Sequence, residues 1–160
     1  MRPHACIRSR SVGKLWHPQG GISHPLFRRA YLGRAHIGSC TGAKLEDLRT
    51  ASKVIKGRRV ARGVQLLIAP ASKAIMNKAW AEGVLGPIID AGGVLMPTTC
   101  GICTGSGPGQ LGPGEVGISS TNRNDKGRMG SVEASIYLGS AAPVAASAIE
   151  GQVSNPREFI

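Results

Sequence analysis

The feature that most constrains the fold is a near-continuous apolar run at residues 64–69 (VQLLIA), bounded by Gly63 and Pro70. The run has the length of a strand, and its lack of polar and apolar alternation is typical of a strand buried on both faces. Such strands belong to parallel sheets, in which crossover connections, usually helices, join one strand to the next. The run therefore predicts the interior strand of an α/β domain.

Strand and helix patterns alternate along the chain from about residue 34 onward. Other short apolar segments predict strands at 35–38, 94–96, 116–119 and 135–138, and helices are predicted at 45–56, 72–82 and 143–150. In the first of these helices Leu45, Leu48 and Ile55 share one face, and Gly57 follows as a helix stop. This alternation predicts a mostly parallel sheet, whose ligands bind at the carboxyl ends of the strands.

Two loops that follow predicted strands carry cysteines, one with Cys40 and the other with Cys100 and Cys103. Both loops are expected at the carboxyl edge of the sheet, so their thiols can face a single site. The spacing leaves several alternatives open: an iron–sulfur cluster, a zinc site, a thioredoxin-like dithiol, or unrelated buried thiols. A zinc ion would need a fourth ligand, for which the candidates are Cys6, His4, His17, His24 and His36.

The charge of the chain is concentrated at its beginning. The net charge is +11, and residues 1–36 contribute +7 of it, with seven Lys and Arg and no acidic residue. The remainder is only mildly basic and lacks the basic runs interleaved with aromatics that bind single strands, so no nucleic-acid partner is expected. No segment has the apolar length of a membrane span or of a secretory signal, which predicts a soluble, cytoplasmic protein without structural disulfides.

Four segments carry a family resemblance: IGSCTGAKLEDLRTASKVIKGRRVARGVQ, LMPTTCGIC, LGPGEVGISSTNRNDKGRMGS and YLGSAAPVAASAIEGQVSNPREF. In this order they are similar to successive pieces of the aconitase superfamily, and within it to the large subunit of 3-isopropylmalate dehydratase. The resemblance implies a three-layer α/β/α domain of the aconitase cluster-bearing type, with a mostly parallel sheet, at residues 35–160. Residues 1–34 are then expected to form an irregular basic arm.

The resemblance also implies a chemistry for the cysteines. Cys40, Cys100 and Cys103 would hold a [4Fe–4S] cluster with one iron not bound by cysteine, and that iron would act as a Lewis acid in a hydro-lyase reaction. The family reaction interconverts 2-isopropylmalate and 3-isopropylmalate in leucine biosynthesis. Arg123 and Arg128 are implied to bind the carboxylates of this dicarboxylate hydroxy acid, and Asn122 to lie against the cluster.

Two departures from the family pattern limit what the resemblance implies. The family commonly has Asn directly after Cys-Thr, where this chain has Gly42. The likeness also covers only the C-terminal part of the large subunit, so other active-site groups and the serine of the small (swivel) subunit are missing. The isolated chain is therefore expected to be inactive. The alternatives are homoaconitase or another dehydratase of the family, and a non-catalytic iron–sulfur or zinc-binding module.

Overall fold

A computed structural model describes residues 8–9 and 31–159 of the chain. The rest of the predicted basic arm, including Cys6 and three of the histidines considered as zinc ligands, lies outside the described residues. Of the segment 1–34, the structure describes a two-residue strand, β1 (Arg8–Ser9), and the residues from Tyr31 onward. The arm therefore stays a prediction for most of its length.

The described strands form one six-stranded sheet in the order β1-β6-β5-β2-β3-β4. All neighbours from β6 to β4 pair in parallel, and β1 pairs antiparallel with β6 at one edge. The prediction of an α/β fold with a mostly parallel sheet is thereby confirmed. The parallel strands are β2 (Arg34–Gly38), β3 (Gln65–Ala69), β4 (Val94–Leu95), β5 (Val116–Ser119) and β6 (Ser135–Leu138).

Helices follow most of the strands, and local signals fix their ends. Ser72 caps α3 by accepting a hydrogen bond from the Ile75 N–H at 3.2 Å. Gly151 ends α5 with a left-handed φ of 74°, a conformation that glycine adopts without strain. The helices are α1 (Ser39–Gly42), α2 (Leu45–Ile55), α3 (Lys73–Ala81), α4 (Leu85–Asp90) and α5 (Ala141–Glu150), with short 3-10 helices at Gly101–Thr104 and Pro156–Glu158. No helix in the described ranges is long and apolar enough to cross a membrane.

The sheet has two differently covered faces. Helices α2, α3, α4 and α5 pack against one another on one face, over a core that includes Ile37, Leu66 and Ile118. Because side chains alternate along a strand, Leu67 and Ile136 point to the opposite face and join a second, smaller core. In the described residues this second face is covered by the segments 96–112 and 120–134, which contain one 3-10 turn and no longer helix.

Two helices were not predicted from the sequence. Helix α4 contains Gly86 and Pro87, which are poor helix formers, but proline is tolerated in the first turn of a helix and the buried pair Leu85 and Ile88 anchors this one to the core. Helix α1 is a single turn in the segment predicted to be the Cys40 loop. Its conformation depends on contacts with distant residues, which are described below.

The connections after β2 and β5 leave the sheet on opposite faces. Strand β2 leads into α2 on the helical face, whereas β5, its neighbour in the sheet, leads into the segment 120–134 on the other face. Diverging connections open a crevice between the carboxyl ends of two adjacent parallel strands, and such crevices are the usual ligand sites of α/β sheets. Cys40 and the run Ser119–Thr121 both lie at this point.

Candidate functional site

Cys40 lies on the one-turn helix α1 that directly follows β2, and its side chain is exposed. Ser39, at the start of this turn, has a φ of 65°, a left-handed conformation that is uncommon for a residue with a Cβ. The Ser39 hydroxyl is buried and has no hydrogen-bond partner among the described residues. The turn therefore carries two unfavourable features immediately before the cysteine.

Ser120 holds both ends of this turn. Its Oγ accepts a hydrogen bond from the Gly38 N–H at 3.0 Å, and its hydroxyl donates to the Gly42 carbonyl at 2.6 Å. Gly42 lies so close to this serine that a Cβ there would be 2.6 Å from the Ser120 carbonyl carbon and 2.9 Å from Oγ. Glycine at residue 42 therefore permits the close approach.

Cys100 and Cys103 lie on the turn that follows β4. The Cys103 N–H donates to the Cys100 carbonyl at 2.9 Å, which closes the 3-10 turn between the two cysteines. Gly105 ends the turn with a φ of 70°. Cys100 is exposed and Cys103 is buried, so the two thiols of the CxxC motif face different environments.

The glycine-rich segment behind this turn is tied to the sheet by Arg34. Its Nε donates to the Gly109 carbonyl at 2.9 Å, and its Nη2 lies 3.5 Å from Glu115 Oε2. Glu115 also accepts from the Gly112 N–H at 2.7 Å. These contacts hold the segment that carries the CxxC turn over the second face of the sheet.

The loop 120–130 contacts both cysteine turns. At its start it touches the Cys40 turn through Ser120 and Gly42. At its end a Cβ on Gly105 would lie 3.0 Å from the Arg128 carbonyl oxygen, so the CxxC turn packs closely on this loop. The Leu111 N–H donates to the Met129 carbonyl at 2.8 Å and extends this contact. Both cysteine turns are thus anchored to the segment that carries the predicted substrate arginines.

The three residues predicted to bind substrate or cluster occupy different environments in this loop. Asn122 and Arg123 are exposed, whereas Arg128 is half-buried. The Arg128 Nε is fully enclosed and has no hydrogen-bond partner in the described part of the chain. An enclosed guanidinium N–H without an acceptor is energetically unfavourable.

A cavity of about 420 Å³ opens beside the CxxC turn. It is lined by His36 and Ala69 from strands β2 and β3 and by residues of the segment 96–108, including Cys100. The lining is largely apolar, and its polar side chains are His36, Cys100 and the hydroxyl residues Thr99, Thr104 and Ser106. The cavity therefore places one cysteine and one histidine at a single solvent-reachable space.

His36 is only 2% exposed, and desolvation by this burial lowers its pKa to about 4. The imidazole is therefore neutral at pH 7. Its Nδ1 lies 3.4 Å from Ser119 Oγ, and the Ser119 hydroxyl in turn donates to Thr121 Oγ1 at 3.0 Å. The ring stacks closely over Gly38, where a Cβ would lie 2.7 Å from Cε1.

A metal centre requires several ligand side chains that converge on one point. No group of three or more His, Cys, Asp or Glu side chains within the described residues is arranged to hold a single metal ion. The described residues therefore show no closed single-zinc site, and Cys6 and three of the candidate histidine ligands lie outside them. A cubane cluster places each thiolate on a different iron, so it needs three thiols around a larger space. Cys40, Cys100 and Cys103 are free thiols, the ligand type that such a cluster requires.

Sequence reasoning assigned no role to three polar residues that the structure places at the centre of the site. Ser119, Ser120 and Thr121 connect β5 to the Cys40 turn and to His36. A signal existed, because a polar run directly after a buried strand at the carboxyl edge of a parallel sheet is a typical ligand position. Their partners lie about 80 residues earlier in the chain and are not apparent from local pattern.

The chain is similar to known proteins over most of its length. The 3-isopropylmalate dehydratase large subunit of Mycolicibacterium smegmatis is 44% identical over 89% of this chain and 34% of its own length. The large subunit of Nautilia profundicola is 46% identical over 80% of this chain and 30% of its own length. The mitochondrial homoaconitase of Debaryomyces hansenii is 48% identical over 80% of this chain and 19% of its own length. The chain thus spans about a third or less of the length of these relatives. The family model described as aconitase family (aconitate hydratase) matches residues 23–151, and the chain belongs to that family.

Proposed function

We propose that this chain is the cluster-bearing part of an iron–sulfur hydro-lyase of the 3-isopropylmalate dehydratase type. The observation that carries the proposal is that loop 120–130 contacts both cysteine turns and also carries Arg128, whose enclosed Nε has no partner in the described residues. Metal-ligand candidates and a carboxylate-binding candidate therefore share one scaffold. The relatives named as 3-isopropylmalate dehydratase large subunits support the same reaction class.

Cys40, Cys100 and Cys103 would hold a [4Fe–4S] cluster between the two turns. When bound, this cluster would supply one iron without a cysteine thiolate, a Lewis acid for the hydroxyl group that leaves as water. The chain's own residues would orient the ligands: Ser120 holds the Cys40 turn, and Arg34 holds the glycine-rich segment beside the CxxC turn. Asn122 would face the cluster, as the family resemblance implies.

Arg128 and Arg123 would bind the carboxylates of a hydroxy dicarboxylic acid. Arg128 is the better supported of the two, because its enclosed Nε gains an acceptor when a carboxylate binds. A guanidinium offers two parallel N–H groups to a carboxylate, which fixes the orientation of the substrate as well as its charge. The substrate of the 3-isopropylmalate dehydratase reaction has this chemistry.

A complete enzyme of this type would need more than the described residues. The name "large subunit" carried by the relatives implies a small-subunit partner, and the family resemblance implies that this partner supplies the serine that takes up the substrate proton. We propose that the chain acts with such a small (swivel) subunit in the cytoplasm. Catalysis by the chain alone is not expected.

Anaerobic reconstitution with ferrous iron and sulfide tests the cluster assignment. The wild-type protein should turn brown, contain about four irons per chain, and give a three-iron spin-resonance signal on mild oxidation. Cys40→Ser, Cys100→Ser and Cys103→Ser should each lose most of this iron. Cys6→Ser is the matched control and should retain it. A colourless protein with one tightly bound zinc per chain would refute the proposal.

A homoaconitase is the second candidate, favoured by the 48% identity to the Debaryomyces hansenii protein. Its substrate is also a hydroxy acid rich in carboxylates, so the cysteines and arginines would serve it equally well. The two candidates differ in the rest of the substrate pocket rather than in the cluster. Assembly with each type of small subunit, followed by assays on both substrates, separates them.

A further inference from the structure

We propose that Ser120 is a positioning residue that sets the geometry of the Cys40 turn. This proposal rests on the proposed function for the identity of Cys40 as a cluster ligand. A serine hydroxyl has one proton and can donate once while accepting elsewhere. Here it does both, accepting from the Gly38 N–H at 3.0 Å and donating to the Gly42 carbonyl at 2.6 Å. One side chain therefore joins the residues on either side of the cysteine.

The Cys40 turn begins at a residue in an unfavourable conformation. Ser39 adopts a φ of 65°, which is unfavourable for a residue with a Cβ, and its buried hydroxyl has no partner among the described residues. Strained backbone of this kind persists only where the surrounding contacts impose it. The two Ser120 hydrogen bonds flank Ser39 and Cys40 and are contacts that can impose this conformation.

Ser120 is itself anchored to the sheet. Its backbone N–H donates to the His36 carbonyl at 2.9 Å, which extends the pairing of β5 with β2 by one residue. The preceding residue, Ser119, is 1% exposed and lies 3.4 Å from His36 Nδ1. The hydroxyl that holds the turn is therefore fixed by the sheet rather than by a flexible loop.

The close fit at Gly42 makes the contact specific. Because a Cβ on residue 42 would overlap the Ser120 carbonyl group, the turn can approach Ser120 only with glycine there. Gly42 and Ser120 are thus a matched pair.

Amide hydrogen exchange in the metal-free, reduced protein tests the inference without any cluster. In Ser120→Ala the Gly38 N–H loses its acceptor, and its exchange should become about five to ten times faster. Ser120→Thr keeps the hydroxyl and should restore the wild-type rate. The Cys103 N–H, bonded to the Cys100 carbonyl, is an internal control and should not change. Ser131→Ala is the matched variant, because Ser131 Oγ also accepts a backbone N–H, that of Glu133, away from the cysteines.

A second measurement separates positioning from mere stabilisation. After anaerobic reconstitution, Ser120→Ala should lose cluster iron several times faster than wild type on exposure to air and give an altered three-iron spin-resonance line shape. Ser120→Thr and Ser131→Ala should behave as wild type. Faster Gly38 exchange together with an unchanged cluster lifetime and line shape would mean a purely structural serine and would overturn the inference.

The remaining outcomes are also decisive. An unchanged Gly38 exchange rate in Ser120→Ala would overturn the inference directly. If Ser120→Ala does not fold, Ser120→Thr tests the inference instead. Because this variant retains the hydroxyl, rapid exchange of its Gly38 amide would contradict the inference and a wild-type rate would support it. If the wild-type protein takes up no cluster, the proposed function fails. The exchange rate of the Gly38 amide in the metal-free variants then still tests whether Ser120 fixes the conformation of the Cys40 turn.

Discussion

Replacing Gly42 with alanine gives the sharpest test of the packing around Cys40. The added Cβ would lie 2.6 Å from the Ser120 carbonyl carbon and 2.9 Å from Ser120 Oγ. Gly86 provides a matched control, because it also lies in a short helix but a Cβ there meets no heavy atom within 4 Å. The same chemical change is thus made once against a backbone carbonyl and once into open space.

The expected magnitudes follow from these contacts. Overpacking a fixed site costs about 1–3 kcal/mol, and the hydrogen bonds that Ser120 makes with the turn contribute about 1 kcal/mol each. Because the clash is relieved only by moving Ser120 or the turn, Gly42→Ala should lower the free energy of unfolding by about 2–4 kcal/mol. Gly86→Ala should raise it by about 0.5–1 kcal/mol, since alanine loses less conformational entropy in a helix than glycine.

Urea denaturation of both reduced variants, followed by far-ultraviolet circular dichroism, measures the difference. The unfolding slope with urea should stay unchanged, so that a shift in midpoint reports stability. A Gly42→Ala protein as stable as wild type would refute the close approach of the Cys40 turn to Ser120. A Gly86→Ala protein destabilised by the same amount as Gly42→Ala would show that the effect is not specific to the turn.

Two further predictions concern buried polar groups. Ser39→Gly should stabilise the metal-free protein by about 1–2 kcal/mol in the same denaturation assay. The change removes a Cβ from a left-handed backbone position and an unpaired buried hydroxyl, which outweighs the greater entropy that glycine loses on folding. A lower urea midpoint would contradict this prediction. His36 is neutral when folded, with a pKa of about 4, and takes up a proton on unfolding below pH 6.5. The contribution of His36 to the free energy of unfolding is therefore intact above pH 6.5 and should fall by about 3 kcal/mol as the pH drops to 4. In His36→Gln this part of the pH dependence should be absent when unfolding is measured across the same range.

The parts of the fold that were predicted are those encoded by local pattern. The apolar run before Pro70 is strand β3, and the apolar face of the helix that follows Cys40 is buried as expected in α2. Helix α4 was not predicted, and its Gly86 and Pro87 have low intrinsic helix propensity. What makes this segment helical is the burial of Leu85 and Ile88 against the core, a tertiary effect that overrides local propensity.

The candidate site could be predicted as a set of residue types but not as an arrangement. The cysteines were expected on loops at the carboxyl edge of the sheet, and they follow β2 and β4. The contacts of Ser120 with Gly38 and Gly42 join residues 82 and 78 positions apart. Such contacts arise because β2 pairs in parallel with β5. The hydrophobic pattern of a strand does not indicate which other strand it will pair with. The meeting of the three thiols around one cluster stays a prediction.

The loop after β5 links the two halves of the proposed chemistry. At one end Ser120 holds the Cys40 turn, and at the other the Arg128 backbone packs on Gly105 behind the CxxC turn. A carboxylate bound at the enclosed Arg128 Nε would therefore act on the same segment that positions a cluster ligand. Because both contacts are made by backbone or by a short hydroxyl, the loop has little freedom to move at one end alone. On the proposed function, substitutions that shift Ser120 should consequently affect substrate binding as well as the cluster.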